Sequence, residues 1–233
     1  MKLFPVFGLA MLAMPFAPLC AENQLEEVII TASPHQKSAQ QVAGSFNVIS
    51  DEQLQLEAAA TLGDTLANQV GVASSSFGPG VGSPIIRGLG GKRVEILQNS
   101  TVVGDASDIS PDHAIATEAL LADRIEILRG PATLRFGPGA IGGVINVIDN
   151  RIHTTAFEGV EGAIETRHSS NNDATAIVSR LDAGTGTFNL HLDAVTRDSN
   201  NVEIRGLAAP ADDDSSNGFI ANTDAKADSF SAG

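Results

Sequence analysis

The chain has no tryptophan, no tyrosine and one cysteine among its 233 residues, and only half as many basic as acidic side chains. Each shortage excludes something. A lone thiol, Cys20, cannot form an intramolecular disulfide, so no disulfide framework holds the fold. With 14 Lys+Arg against 28 Asp+Glu and a formal charge of −14, the chain lacks the basic surface that phosphate binding needs, which argues against nucleic acid as a partner. The same balance is electrostatically favourable to a cationic ligand. No apolar run is long enough and uninterrupted enough for a membrane-spanning helix, so the one route into a bilayer is a β-barrel. A complete membrane barrel carries aromatic girdles at both interfaces, so a chain without Tyr or Trp is either no barrel or only a small piece of one. The hydrophobic content of 42% is enough for one domain core, or for a domain plus a piece of another.

What is present in quantity is glycine next to β-branched residues, most densely from Arg124 to Asp149. Arg124 to Leu128 alternates Ile125 and Ile127 with charged neighbours, and Val144 to Ile148 is strand material. Gly130-Pro131 and Gly137-Pro138-Gly139 break regular structure between them, which predicts a hairpin-like unit. Gly137 to Gly142 is formally a G-x-G-x-x-G. A dinucleotide site needs a helix opening directly after it, whereas Gly143 to Ile148 has the composition of a strand.

Taken in order, Met1 to Ala21 has a lysine, an apolar run and a small residue before polar Glu22-Asn23-Gln24, the pattern of a secretory signal peptide. Cleavage after Ala21 removes Cys20. Lipid attachment at Cys20 is disfavoured because Leu19 is too large for the position before a lipobox cysteine. Leu25 to Ser33 is a short acidic and β-branched segment near the mature terminus, with a polar stretch through Gln41 behind it. Such a segment can add as a strand to a partner's sheet edge; the alternative is a first strand of the domain itself.

Phe46 to Ile49 reads as a strand. Ser50 with Gln53 gives a capping-box pattern for a helix of about Asp51 to Ala59, and Thr61 with Asp64 caps a second helix ended by Gly71. Leu54, Leu62, Leu66 and Val70 are expected in the core. Further strands are expected at Pro84 to Arg87, Arg93 to Leu97 and Thr101 to Val103, with turns at Gly88 to Gly91 and at Gln98-Asn99-Ser100. The loop Gly104 to Ala114 holds Asp105, Asp108, Asp112 and His113, an imidazole and carboxylate set that zinc accepts. The alternative is an acidic surface loop in which Asp112 caps a short helix through Leu121.

Beyond Asn150 the pattern becomes long alternation. Val160, Ile164 and Thr166 oppose Glu161, Glu165 and Arg167; Ile177 and Leu181 oppose Arg180 and Asp182; Phe188, Leu190 and Leu192 oppose Asn189, His191 and Asp193. One apolar and one charged face suits barrel strands with lipid outside and a wet lumen. Gly184 to Thr187 is a tight turn, the connections His168 to Ala174 and Arg197 to Thr223 are longer and polar, and a fourth strand begins near Lys226. His168 and His191 are expected at the lumen or rim rather than as ligands, and His35 and His153 show no partner pattern.

The run Arg124-Ile125-Glu126-Ile127-Leu128-Arg129-Gly130-Pro131 with Ala140-Ile141-Gly142-Gly143-Val144-Ile145-Asn146 resembles the plug domain of TonB-dependent outer-membrane receptors. One departure is Phe136, where tyrosine is common. Ile86-Arg87-Gly88 with Arg93 a few residues later is similar to the family's second plug motif, and Glu26, Glu27, Val28, Ile29, Ile30, Thr31 and Ala32 to its TonB box. The resemblance implies an α+β plug domain, a small mixed β-sheet with short helices, then the first strands of a truncated antiparallel transmembrane β-barrel. The divisions it implies are a signal peptide over 1–21, the TonB box and a flexible segment over 22–41, a plug over 42–150 and a barrel start over 157–233. In the family the plug arginines, here Arg87, Arg93, Arg124 and Arg129, pair with carboxylates of the barrel wall, so a structural role is expected of them.

The loop order around Gly104 to Ala114 is similar to the zinc-uptake branch, also linked to haem, and implies Asp112 and His113 as plug-side metal ligands. The resemblance further implies no catalytic cofactor and no enzyme chemistry. Its partners are an energy-transducing TonB-type periplasmic protein and outer-membrane lipid, and its cargo is Zn2+, another transition metal or haem. A siderophore receptor is the near alternative. A plug-only periplasmic module or a decayed gene fragment is the distant one.

Overall fold

The structure, a computed structural model, describes residues 46–153, 155–208 and 217–233. The signal-peptide and TonB-box expectations lie outside these residues.

The first body begins with β1 (Phe46–Ser50), α1 (Asp51–Glu57), α2 (Leu62–Leu66), β2 (Val72–Gly78) and β3 (Val81–Ile86). It continues through β4 (Val94–Gln98), β5 (Thr101–Val102), β6 (Arg124–Leu128) and β7 (Gly143–Ile148). Five of the strands make a mixed sheet of order β1-β6-β7-β4-β5, in which only the β4–β7 pairing is parallel. β2 and β3 form a separate antiparallel hairpin.

The predicted strand pair is therefore the centre of the sheet. β6 and β7 pair antiparallel with Ile127 opposite Ile145, and the glycine-proline segment between them coils into short 3-10 turns at Pro131–Phe136 and Pro138–Ile141. No helix starts at Gly142, since β7 begins at the next residue. Gly143 must be glycine because a Cβ there would stand 2.6 Å from Ile86 Cδ1 and 2.9 Å from the Leu128 carbonyl.

The apolar–charged alternation in β6 is not matched by its burial: Ile125 to Leu128 are all buried, as are Gly143 to Val147. Ile125, Ile127, Ile145 and Val147 meet Ile49, Leu54, Leu62, Leu66 and Ile86 on one side of the sheet. Leu97, Leu128, Ala140 and Val144 close the other, with Phe46 and Phe136 against them. Burial of each large aliphatic side chain contributes about 1.5–3 kcal/mol.

Three local expectations also change. α1 stops at Glu57, and Gln53 donates to Glu57 Oε1 (3.1 Å) instead of closing a capping box. Thr61 does cap α2, its Oγ1 accepting from the Asp64 N–H at 3.1 Å. Val70 is 83% exposed, because the chain leaves the helical path after α2 and reverses at Gly71 (φ +74). Strand β2, rich in serine, carries too little apolar alternation to be read from sequence.

The second body is built from β8 (Glu158–Ser169), β9 (Ala174–Thr185), β10 (Asn189–Ser199), the short ribbon strands β11 (Glu203–Leu207) and β12 (Asn217–Phe219), and β13 (Ala225–Ala232). β8, β9, β10 and β13 form an antiparallel sheet of order β13-β10-β9-β8. The hairpin of β9 and β10 closes tightly, Thr185 N–H donating to the Phe188 carbonyl at 2.9 Å. Register puts Gly162, Leu181 and Leu192 side by side on one face, with Ala163, Arg180 and Asp193 on the other. The first face is open: Val160, Ile164, Phe188 and Phe230 are exposed, Phe230 to 86%.

The second face lies against the first body. Ala176, Val178 and Val195 pack with Leu120 and Leu121, with Ala58 at the margin. The face expected to be wet is thus largely contact with the first body. No helix among the described residues is long and apolar enough to cross a membrane.

Candidate functional site

The loop with the predicted ligand pair is ordered by its own aspartates. Asp105 Oδ1 accepts from the Ser107 N–H (2.8 Å) and its Oδ2 from the Ala116 N–H (2.9 Å), so Asp105 spends its carboxylate on backbone donors. Glu118 caps the 3-10 turn Ala119–Leu121 through the Leu120 N–H (3.1 Å), the task that the surface-loop reading gives to Asp112.

Asp112 and His113 are left outward. Both side chains are more than half exposed, with Asp112 Oδ1 3.0 Å from His113 Nδ1. The Ser110 hydroxyl also donates to Asp112. That donor first, then backbone and the His113 ring, hold the Asp112 carboxyl below the ordinary carboxylate range. The pair offers an anionic oxygen and an imidazole to solvent, two donors of the kind a transition metal takes, short of the four a closed zinc site needs.

The predicted plug motifs occupy turns and the buried polar centre. Arg87 (φ +52) and Gly88 (φ +80) are the central residues of a tight turn between Ile86 and Leu89, the geometry of a primed hairpin turn, and Arg87 stands exposed at its tip. Arg93 is exposed, and its carbonyl accepts from the Gly142 N–H at 2.7 Å. Gly130 takes φ +82 ahead of Pro131, turning the chain out of β6. Asn146 donates to Glu126 Oε2 (3.2 Å) across the β6–β7 register, and Arg124 Nε donates to Glu126 Oε1 (3.3 Å). Asn146 Oδ1 also accepts from Ser100 N–H (2.8 Å), steadying a turn whose central residues Asn99 and Ser100 both have positive φ.

Wall carboxylates are not where these arginines go among the described residues. Arg124 pairs within the first body, and Arg129, buried, donates to Asn47 Oδ1 (3.1 Å). Burial, then the nearby Arg87, push the Arg129 guanidinium down from its usual range. The ion pairs between the bodies run the other way, from arginines of the second body to carboxylates of the first. Arg180 reaches Asp123 (2.6 Å) and Arg197 reaches Glu118 (3.3 Å). Arg167 donates to the Gln55 carbonyl (2.8 Å) and to that of Ala58, serving the free carbonyls at the end of α1. Between the bodies is a cavity of about 810 Å³, walled by Ala58, Phe77, Leu120, Arg167, His168 and Arg197 among others; Asp112 and His113 are not part of its lining.

A second group of metal-type donors was not anticipated. His153, expected to have no partner, places Nε2 2.7 Å from Asp182 Oδ1, and His191 places Nδ1 2.6 Å from the same oxygen. His191 Nε2 lies 2.8 Å from Asp193 Oδ2. Asp182 stands opposite His191 in the strand register, so that much was available from the tight turn and the alternation. The approach of His153 depends on how the segment between the bodies runs, which no local pattern records.

The family model of the TonB-dependent Receptor Plug Domain matches residues 38–144. Among curated proteins, the chain is 26% identical to a vitamin B12 transporter of Photobacterium profundum, over 70% of this chain and 27% of that protein. It is 28% identical to a hemin receptor of Yersinia pestis, over 84% of this chain and 29% of that protein. The chain thus spans less than a third of the length of these relatives. Among solved structures, the copper transporter OprC superposes with a TM-score of 0.59 at 23% identity, covering 68% of this chain and 24% of that one, a likeness of fold. Residues 38–144 are therefore a TonB-dependent receptor plug domain, and the antiparallel sheet after it supplies strands of the barrel kind.

Proposed function

We propose that the chain is the plug and first wall strands of an outer-membrane receptor that actively takes up a transition metal, Zn2+ first, or a metal chelate such as haem. The observation that carries the reading is the docking of the plug on one face of the four-stranded sheet while the other face stays apolar and open. That is what a stopper inside a lipid-embedded wall requires. In this reading the segment 1–21 exports the chain, and Glu26 to Ala32 is the handle on which an energised TonB-type periplasmic protein pulls. The plug and N-terminus face the periplasm.

Zinc is favoured over a bulky chelate by the exposed Asp112 and His113 pair, whose remaining ligands would come from outside the described residues. The relatives named for haem and vitamin B12 keep a metal-chelate cargo, with a siderophore in the same class, as the second reading. The test is uptake of radioactive zinc by cells carrying the full-length protein, with and without the TonB-type coupler. Asp112→Ala/His113→Ala is expected to lower zinc uptake about tenfold or more, as loss of ligands does, while leaving hemin-supported growth unchanged. Zinc uptake untouched by the double substitution would overturn the metal reading in favour of the chelate.

A further inference from the structure

The segment joining the two bodies and the β9–β10 hairpin bring three donors to one point on the seam. His153 comes from the segment joining plug to wall, Asp182 from the end of β9, and His191 from the start of β10. One ligand atom from each of the three, an imidazole nitrogen or a carboxylate oxygen, lies within 4.8 Å of the other two. We propose that these three side chains bind a divalent transition cation of the Zn2+ type, which clamps the joining segment to the wall.

The donor set is two imidazoles and a carboxylate, which zinc accepts in sites that keep a fourth position open. A tetrahedral ion at about 2.0–2.2 Å from each ligand sets its donors roughly 3.4 Å apart. The two histidine nitrogens, now 2.6 and 2.7 Å from Asp182 Oδ1, would each have to open by roughly 0.7–0.8 Å, within reach of a side-chain rotation.

The surroundings of the ligands are also those of a metal site. His191 turns its other nitrogen, Nε2, to Asp193 Oδ2 at 2.8 Å, the carboxylate behind an imidazole that fixes which nitrogen faces the ion. Asp193 is itself held by the Ser231 hydroxyl at 2.6 Å from β13. The ring of His153 stacks on Phe157 at 5.9 Å between centroids. His191 and Asp193 are buried, whereas His153 and Asp182 retain 14% and 23% side-chain exposure, which gives an ion a way in. The site is separate from the exposed Asp112 and His113 and does not rest on what the protein transports.

The experiment is calorimetric titration of the full chain in detergent, stripped with chelator, using Zn2+ alone. Asp112→Ala/His113→Ala serves as the background, so that the outward pair cannot contribute. One Zn2+ per chain is expected in that background, with an absorption-edge spectrum of nitrogen and oxygen ligands that include two imidazoles. His153→Ala is expected to weaken binding about tenfold or more, and Asp193→Asn by a similar factor through His191. His153 lies outside the strands, so its loss leaves their pairing intact. Equal Zn2+ binding with and without His153, or no Zn2+ bound in the background chain, would overturn the site and leave a hydrogen-bonded network in its place. Neither result bears on zinc transport, which the uptake assay reads by itself.

Discussion

The residue that most constrains this fold is a buried acid. Glu126 has no exposure at the middle of β6, and its carboxylate takes hydrogen bonds from Arg124 on one side and Asn146 on the other. A carboxyl so placed needs hydrogen bonds to offset its burial. Glu126→Ala is expected to cost about 3–5 kcal/mol by leaving Asn146 and Arg124 without their acceptor; Glu126→Gln, which keeps the shape and part of the bonding, should cost clearly less. Denaturant titration of the two variants checks the order. In the sequence Glu126 stands between two isoleucines, in an apolar–charged alternation. The motif resemblance singled it out, but alternation alone could not reveal that a second layer covers the far face of the sheet.

At the scale of elements, the end of β7 is tied to the turn between β4 and β5 by Asp149, which accepts from Gln98 (2.8 Å), Asn99 (2.7 Å) and Arg151. Burial pushes the Asp149 carboxyl up, and the donors from Arg151, Asn99 and Gln98 outweigh it and bring it below the ordinary range. A depressed carboxylate contributes stability that is fully present above the unfolded value of about 3.9 and is lost as pH falls through the folded value. The plug should therefore be weakened below about pH 4 in part through this group. In Asp149→Asn the stability gap from the parent should be largest near neutrality and shrink in acid, measured by unfolding at a series of pH values.

Most elements here were legible because glycines, β-branched runs and tight turns punctuate the chain. The central strand pair, the Asn99-Ser100 reversal and the β9–β10 hairpin all arise from residue chemistry. β2 was not legible, being serine-rich. Nor was the fate of Val70, whose exposure is decided by where α2 ends.

For the whole molecule, three arginines from three wall strands, Arg167, Arg180 and Arg197, reach plug carbonyls and carboxylates. Alternation placed these side chains on the inner face of the strands, but their partners lie in the plug, up to 112 positions away in sequence, beyond any local pattern. Arg180 also donates to the Leu120 and Ala122 carbonyls at 3.3 Å each. Arg180→Met is expected to weaken docking by about 1–3 kcal/mol, the cost of leaving these buried acceptors unserved. Faster protease cleavage at the joining segment near residues 150–157 would report it.

The candidate sites were legible to different degrees for the same reason. Asp112 and His113 are neighbours in sequence, whereas His153 meets Asp182 and His191 only through the assembled seam.

The measurement that tests the account most directly is nitroxide accessibility of the full-length protein in lipid bilayers. Labels at Ile164, Leu190 and Phe230 on the open face should be reached by oxygen and relaxed by lipid-borne probes, while labels at Val178 and Val195 on the plug-covered face should be reached by neither. Open-face labels exposed to water-borne reagents, with no lipid contact, would contradict a wall that holds its plug inside a membrane.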